Sequence, residues 1–145
     1  MLHIIQDLKD SLIDLIKDDP VRPELTADFR VNDSSKIFVL TDDLTQKPLA
    51  VTCVRFLSDI PQSVEDMTKL AVNSNTAVFY TIWSYAAGAG RTLIEQAQQQ
   101  IKSEHPEVMT YVTLSPKTEM ARRFHLKNGA EVYRENPDTV NYLYR

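Results

Sequence analysis

The tightest constraint in this sequence is the passage from an apolar run straight into a small-residue stretch and then into a helical stripe. Ala77-Val78-Phe79-Tyr80-Thr81-Ile82-Trp83 is rich in β-branched and aromatic side chains and reads as a buried strand. Tyr85-Ala86-Ala87-Gly88-Ala89-Gly90 follows, and Leu93, Ile94, Ala97 and Ile101 then recur at helical spacing. The chain has only 3 glycines, and Gly88 and Gly90 both fall at this strand-to-helix junction. Glycine there lets the backbone approach a ligand, and the unpaired N–H groups of a helix start suit an anion such as a pyrophosphate. A tight turn with no ligand satisfies the same pattern, so the motif alone leaves both readings open.

Around this junction the remaining elements fall into order. Ile5, Leu8, Leu12 and Leu15 predict an amphipathic helix over residues 1–19, ending before Pro20. Residues 20–35 read as a connector with one short helix, and residues 37–40 and 49–57 as strands joined by a polar hairpin turn. Val64, Met67 and Leu70 predict a short helix over residues 61–72. Beyond the central helix come a strand over 108–114, a helix over 116–127, and strands over 131–133 and 140–144 around the turn Asn136-Pro137-Asp138. This is an α/β (α+β) plan, a central mixed sheet flanked by helices, expected to form one domain over residues 1–145.

Composition excludes several classes of function. A net charge of −4 over 145 residues gives no general pull toward nucleic acid or an anionic membrane. No apolar stretch approaches the roughly 20 residues of a membrane span, and with Asp7, Asp10 and Asp14 among the first residues no signal peptide is expected. Cys53 is the only cysteine, consistent with a reducing compartment, so the expected location is cytoplasmic. His3, His105 and His125 lack metal-ligand spacing, so no metal site is expected, and Ser103-Glu104-His105 reads as a helix end before Pro106.

The segment Tyr85 to Gly90 resembles the phosphate loop of the GCN5-related acetyltransferases, Gln/Arg-x-x-Gly-x-Gly/Ala, with Tyr85 at its first position. The resemblance implies a GCN5-related N-acetyltransferase-like fold. It also implies that backbone amides of Ala86, Ala87, Gly88, Ala89, Gly90 and Arg91 hold the pyrophosphate of coenzyme A. Arg91 is the one cation placed by its loop position to face the phosphates, and backbone N–H groups of Ile82 and Trp83 are candidates for an oxyanion hole. The family's next motif, Asn-x-x-Ala-x-x-x-Tyr-x-x-x-Gly-Phe, falls on Thr118 to Ala130, where Ala121 and Gly129 match. His125 replaces the tyrosine that usually protonates the departing thiolate. The strand 77–83 carries no Asp or Glu, where many members place a general base.

Thr113-Leu114-Ser115-Pro116 and His125-Leu126-Lys127-Asn128-Gly129-Ala130 resemble malonyl-CoA decarboxylase, which has a Leu-Ser-Pro and a His-Leu-Arg-Asn-Gly-Ala segment in this order. Pro48-Leu49, Ala77 to Tyr80 and Asn141-Tyr142 agree in sequence order, so the resemblance runs from about Pro20 to the C-terminus. It departs where the family has a long insertion, here only residues 116–124, and where the family has a helical N-terminal domain, here only residues 1–19. The resemblance implies Ser115 and His125 as the catalytic pair, with malonyl-CoA or acetyl-CoA as partner and no cofactor beyond the thioester itself. A hydroxyl can hydrogen-bond the substrate carboxylate, and an imidazole titrating near neutrality can protonate carbon. On the residues alone, Ser115 before Pro116 is equally a helix N-cap with proline at N1, and His125 a packing histidine. Two other functions stay open: transfer of an acetyl group to an amine, and acyl-CoA binding without catalysis. A homo-oligomer also stays open.

Overall fold

Alternating β-branched and aromatic residues build the centre of the molecule. In this computed structural model, which describes residues 1–69 and 71–145, β2 (Ser35–Thr41), β3 (Pro48–Leu57) and β4 (Thr76–Ser84) form an antiparallel meander. The β2–β3 hairpin closes on Asp42, whose carboxylate accepts the amides of Leu44 and Thr45, both at 2.9 Å. Helix α2 (Ala89–Glu104) carries the chain across the sheet to β5 (Thr110–Thr113), which runs parallel to β4. The last strand, β8 (Thr139–Tyr144), lies antiparallel to β5 and β6 (Ser115–Pro116) on one side and to β7 (Glu131–Glu135) on the other. Helix α3 (Glu119–Lys127) connects β6 to β7. The sheet is mixed, as expected, and it has eight strands among the described residues.

Two apolar layers cover its faces. Leu93, Ile94, Ala97 and Ile101 of α2 pack on Phe38, Val54 and Phe79, with Phe124 of α3 alongside. On the opposite face Ile37, Val39, Val51, Val78, Tyr80 and Leu114 lie beneath Leu12, Ile16 and Leu25 of the N-terminal segment, Phe29 of the short helix α1 (Ala27–Arg30) and Met67. Cys53 is buried in this second layer, where desolvation pushes its thiol up to about 12 and leaves it inert.

Three sequence expectations are corrected. No helix spans residues 1–19: Leu2–Ile5 form β1, antiparallel to β2, and only a 3-10 turn, Ile13–Asp18, follows. The reason is local competition. The Asp7 and Asp10 side chains accept the amides of Lys9 (2.8 Å) and Leu12 (2.9 Å), closing turns where a helix needs those amides. The helix expected over 61–72 reduces to a 3-10 turn, Glu65–Thr68, and Leu70 lies outside the described residues. The helix expected from Pro116 starts at Glu119, capped by Thr118, whose hydroxyl accepts the Ala121 amide at 3.2 Å. Ser115 is therefore not a cap. It and Pro116 pair with Val140 and Thr139, a short edge strand that tolerates a proline.

A buried ion pair fastens the N-terminal segment to the sheet. Arg30 Nη1 donates to Asp19 Oδ2 at 2.6 Å, and both side chains are fully buried. Asp19 Oδ1 accepts from Val21 N (2.8 Å), Arg22 N (2.9 Å) and Thr81 Oγ1 (2.8 Å), while Arg30 also donates to the carbonyls of Leu25 and Arg22. With its partner deleted, a buried guanidinium keeps its full desolvation cost. Asp19→Ala is therefore expected to destabilise the fold by about 3–5 kcal/mol, seen as a lowered urea midpoint.

Candidate active site

The site begins where β4 and β5 part company. Their pairing runs from Thr76–Thr110 to Phe79–Thr113 and ends with the Leu114 amide on the Phe79 carbonyl, at 3.2 Å. β4 continues to Ser84 while β6 turns away along β8. Between these two banks lies a cleft of about 340 Å³, floored by Phe79 to Ser84 and walled by Ser115, Pro116, Met120, Phe124 and His125. Pro20 and Val21 close another side. Among the described residues that line it there is no Asp, Glu, Lys or Arg.

Amide direction along β4 follows from strand alternation. The Tyr85 amide donates to Leu49 O at 2.8 Å, so Trp83 and Thr81 also turn their backbone groups toward β3. Ile82 and Ser84 then present theirs to the cleft. Of the two amides expected to form an oxyanion hole, only that of Ile82 faces the right way. Trp83 contributes its ring, which is 8% exposed and lines the cavity.

Ser115 and His125 meet across the opposite wall. Ser115 Oγ lies 3.2 Å from His125 Nε2, and both residues are buried. His125 Nδ1 is 2.7 Å from the Tyr144 hydroxyl, and the Tyr142 ring stacks on the imidazole at 5.0 Å. Burial raises the Tyr144 phenol above its ordinary value, so it keeps its proton and can donate it to Nδ1 in the tautomer that carries the imidazole proton on Nε2. The neutral imidazole then carries its own proton on Nε2, facing Ser115 Oγ, while Ser115 donates to Thr113 Oγ1 at 2.8 Å. Burial also pushes the His125 imidazole down to about 4, not near neutrality as expected from sequence. Thr113 is fixed in turn: its hydroxyl accepts the Tyr142 amide (3.0 Å) and its carbonyl accepts Asn141 Nδ2 (2.8 Å). Asn141 and Tyr142 thus act from the same strand, one on Thr113 and the other on the imidazole.

Sequence reading missed Tyr144 and the role of Thr113. A signal existed for the first, since Tyr142 and Tyr144 are spaced to share one face of the last strand.

The glycine loop divides its labour. Gly88 sits at φ +76, a left-handed conformation that disfavours a side chain. Gly90 is helical, and a Cβ there would come within 2.9 Å of the Phe124 ring, so this glycine serves helix packing. The Ala89 amide bonds to Ala86 O at 3.3 Å, whereas the amides of Ala87, Gly88, Gly90 and Arg91 find no backbone partner among the described residues. The Arg91 side chain pairs with Glu95 at 3.2 Å on the exposed face of α2. Tyr85 is bonded to Asp18 and Trp83.

A parted mixed sheet with a glycine turn leading into α2 defines the acetyltransferase-like fold. The chain superposes on the Campylobacter jejuni N-acetyltransferase with a TM-score of 0.63 at 16% identity, covering 100% of this chain and 96% of that one. It superposes better on malonyl-CoA decarboxylase from Agrobacterium vitis, with a TM-score of 0.82 at 19% identity. The enzyme from Rhodopseudomonas palustris gives 0.77 at 21%. The chain is covered to 100% and 99% in these two comparisons but spans only 60% and 59% of the two decarboxylases. No curated protein matches it by sequence. The sequence profile of the malonyl-CoA decarboxylase C-terminal domain matches residues 24–123, and the chain belongs to that family. The match takes in the glycine loop and Ser115 and stops just short of His125.

Two predictions follow from this geometry. The unfolded chain binds a proton on His125 below about 6.5, whereas the folded chain refuses it until about 4. Stability is therefore lost as pH falls through that window, by about 3 kcal/mol in all for this residue. His125→Gln should flatten that acid limb in urea unfolding at pH 4 and pH 7. Gly90→Ala should push the Phe124 ring toward the cleft. Helix propensity offsets part of the strain, so the melting temperature should move little while a crystal structure of the variant shows the displaced ring.

Proposed function

We propose that this chain decarboxylates malonyl-CoA to acetyl-CoA and carbon dioxide, with Ser115 and His125 as the catalytic pair. The observation that carries this reading is a neutral, hydrogen-bonded serine–histidine pair in a cleft whose lining, among the described residues, has no charged side chain. A carboxylate brought into such surroundings loses its hydration, and its charge is better tolerated once spread into the thioester enolate. A lysine or arginine in the same place would stabilise the ground state and slow the step.

In this scheme the bond between the carboxylate carbon and the α-carbon breaks, and its electron pair enters the enolate. Carbon dioxide leaves neutral. The Ile82 amide lies on the bank where it could stabilise the enolate oxygen. Ser115, once its hydroxyl turns from Thr113, and His125 through Nε2–H supply neutral donors to orient the carboxylate and return one proton to the α-carbon. A neutral histidine that gives up Nε2–H becomes imidazolate, and the thioester enolate is the stronger base, so a histidine held neutral by burial is acid enough. Solvent replaces the proton.

Transfer of an acetyl group to an amine fits less well. An ammonium acceptor must lose a proton to a base, no carboxylate lines the cleft among the described residues, and the Nδ1 of His125 is occupied by Tyr144. The test is to incubate the protein with malonyl-CoA and follow acetyl-CoA by mass. Ser115→Ala and His125→Ala are each expected to slow its formation by about 10²–10⁴-fold, the usual worth of an acid–base group. Wild-type protein that binds malonyl-CoA and leaves it intact would rule out this activity and direct attention to amine acceptors or to binding alone.

A further inference from the structure

Residues 18–22 cross the open side of the cleft from one bank to the other. At the β4 bank, Asp19 Oδ1 accepts the Thr81 hydroxyl (2.8 Å), and Asp18 Oδ2 accepts the Tyr85 hydroxyl (2.7 Å). Tyr85 in turn accepts the Trp83 indole N–H at 2.9 Å. At the β6 bank, Arg22 Nη2 donates to the carbonyl of Leu114, the residue before Ser115, at 3.1 Å. Between these anchors Pro20, exposed, and Val21, half-buried, line the cavity that Ser115 and His125 also line.

We propose that this strap is the acyl-selectivity element of the site. In this arrangement Val21 sets the room available at the α-carbon of a bound acyl thioester, and Tyr85 positions the strap through Asp18. The proposal rests on the acyl-CoA reading above but not on the decarboxylation step. It also accounts for the departure at the head of the phosphate loop. Tyr85 is exposed and its hydroxyl faces Asp18, so its place in the motif is used to latch the strap. Asp19 is rigidly held by the buried Arg30, which keeps Val21 at a fixed distance from β4. A neighbour fixed in this way discriminates by steric contact, since an apolar wall that cannot retreat excludes an extra methyl group.

The experiment measures Kd by calorimetry for acetyl-CoA and isobutyryl-CoA, a straight and an α-branched acyl group, neither of which can be decarboxylated. Val21→Ala should narrow the preference for the straight thioester by about tenfold, the worth of a methyl group in an apolar pocket. Tyr85→Phe removes only the latch hydroxyl and should narrow the ratio in the same direction. The emission of its single tryptophan, Trp83, should then shift as the indole N–H loses its partner. Asp18→Asn keeps an acceptor oxygen and should preserve the selectivity that Asp18→Ala loses. A ratio within twofold of wild type in both Val21→Ala and Tyr85→Phe overturns the proposal. Malonyl-CoA turnover is measured alongside. Binding without turnover removes the decarboxylase reading and leaves the strap to be judged on the ratio.

Discussion

The divergence of β4 from β5 after Phe79 is the constraint on which the site depends. Had the two strands stayed paired, the amides of Ile82 and Ser84 would be consumed in the ladder and Ser115 would lie against β4. Instead β8 draws Ser115 and Pro116 to itself, and one bank of the cleft keeps backbone groups that the sheet does not satisfy. Exposed strand edges inside a protein need partners, and an extended ligand rich in amides is a chemically suitable one. The opening also brings two unlike surfaces together. Polar backbone lies on one side, and a buried serine–histidine–tyrosine relay on the other.

Holding such an opening requires polar contacts on both sides of residues 113–115. From the sheet side, Asn141 grips the Thr113 carbonyl and the Pro61 carbonyl, and Asn136 grips Asn141. From the other side, Arg22 grips the Leu114 carbonyl, and the Asp19–Arg30 pair holds Arg22 through backbone bonds. Buried networks of this kind add less to stability than apolar packing of equal volume, but their directionality fixes position. Here that directionality is spent on Thr113 and Leu114, the two residues before Ser115.

The central β-loop-α passage was legible because its signals are periodic and local: an apolar run, two glycines and a stripe of Leu93, Ile94, Ala97 and Ile101. Ser115 and His125 were legible as strings in the right order, and the structure brings them within hydrogen-bond reach. The N-terminus was not. Leu8, Leu12 and Leu15 keep helical spacing, and only the turn-forming aspartates between them decide against a helix. The Ser-Pro pair mimicked a helix start because pairing to β8, a long-range contact, has no local signature. Asp19 and Arg30 sit in a connector that looks like any polar loop, so their burial was invisible. Gly90 was assigned to phosphate approach when its neighbour in space is Phe124.

The same divergence explains how one scaffold serves opposite electrostatic needs. Acetyl transfer to an amine calls for a base near the cleft and tolerates a charged lining. Loss of carbon dioxide calls for the reverse, an environment in which the one charge present belongs to the substrate. In this chain β4 carries no acid or base from Thr76 to Ser84. At the position of the transferase tyrosine on α3 stands a histidine that does not take up a second proton at neutral pH, because Tyr142, Tyr144 and Phe124 surround it with rings. An exposed imidazole would titrate near 6.5 and, once protonated, would pair with the carboxylate and stabilise it. Enclosing the ring removes that competing ion pair and leaves Nε2–H as a directional donor toward Ser115. On the proposed decarboxylase reading, burial of His125 is the feature that would let a thioester carboxylate remain uncompensated until it leaves.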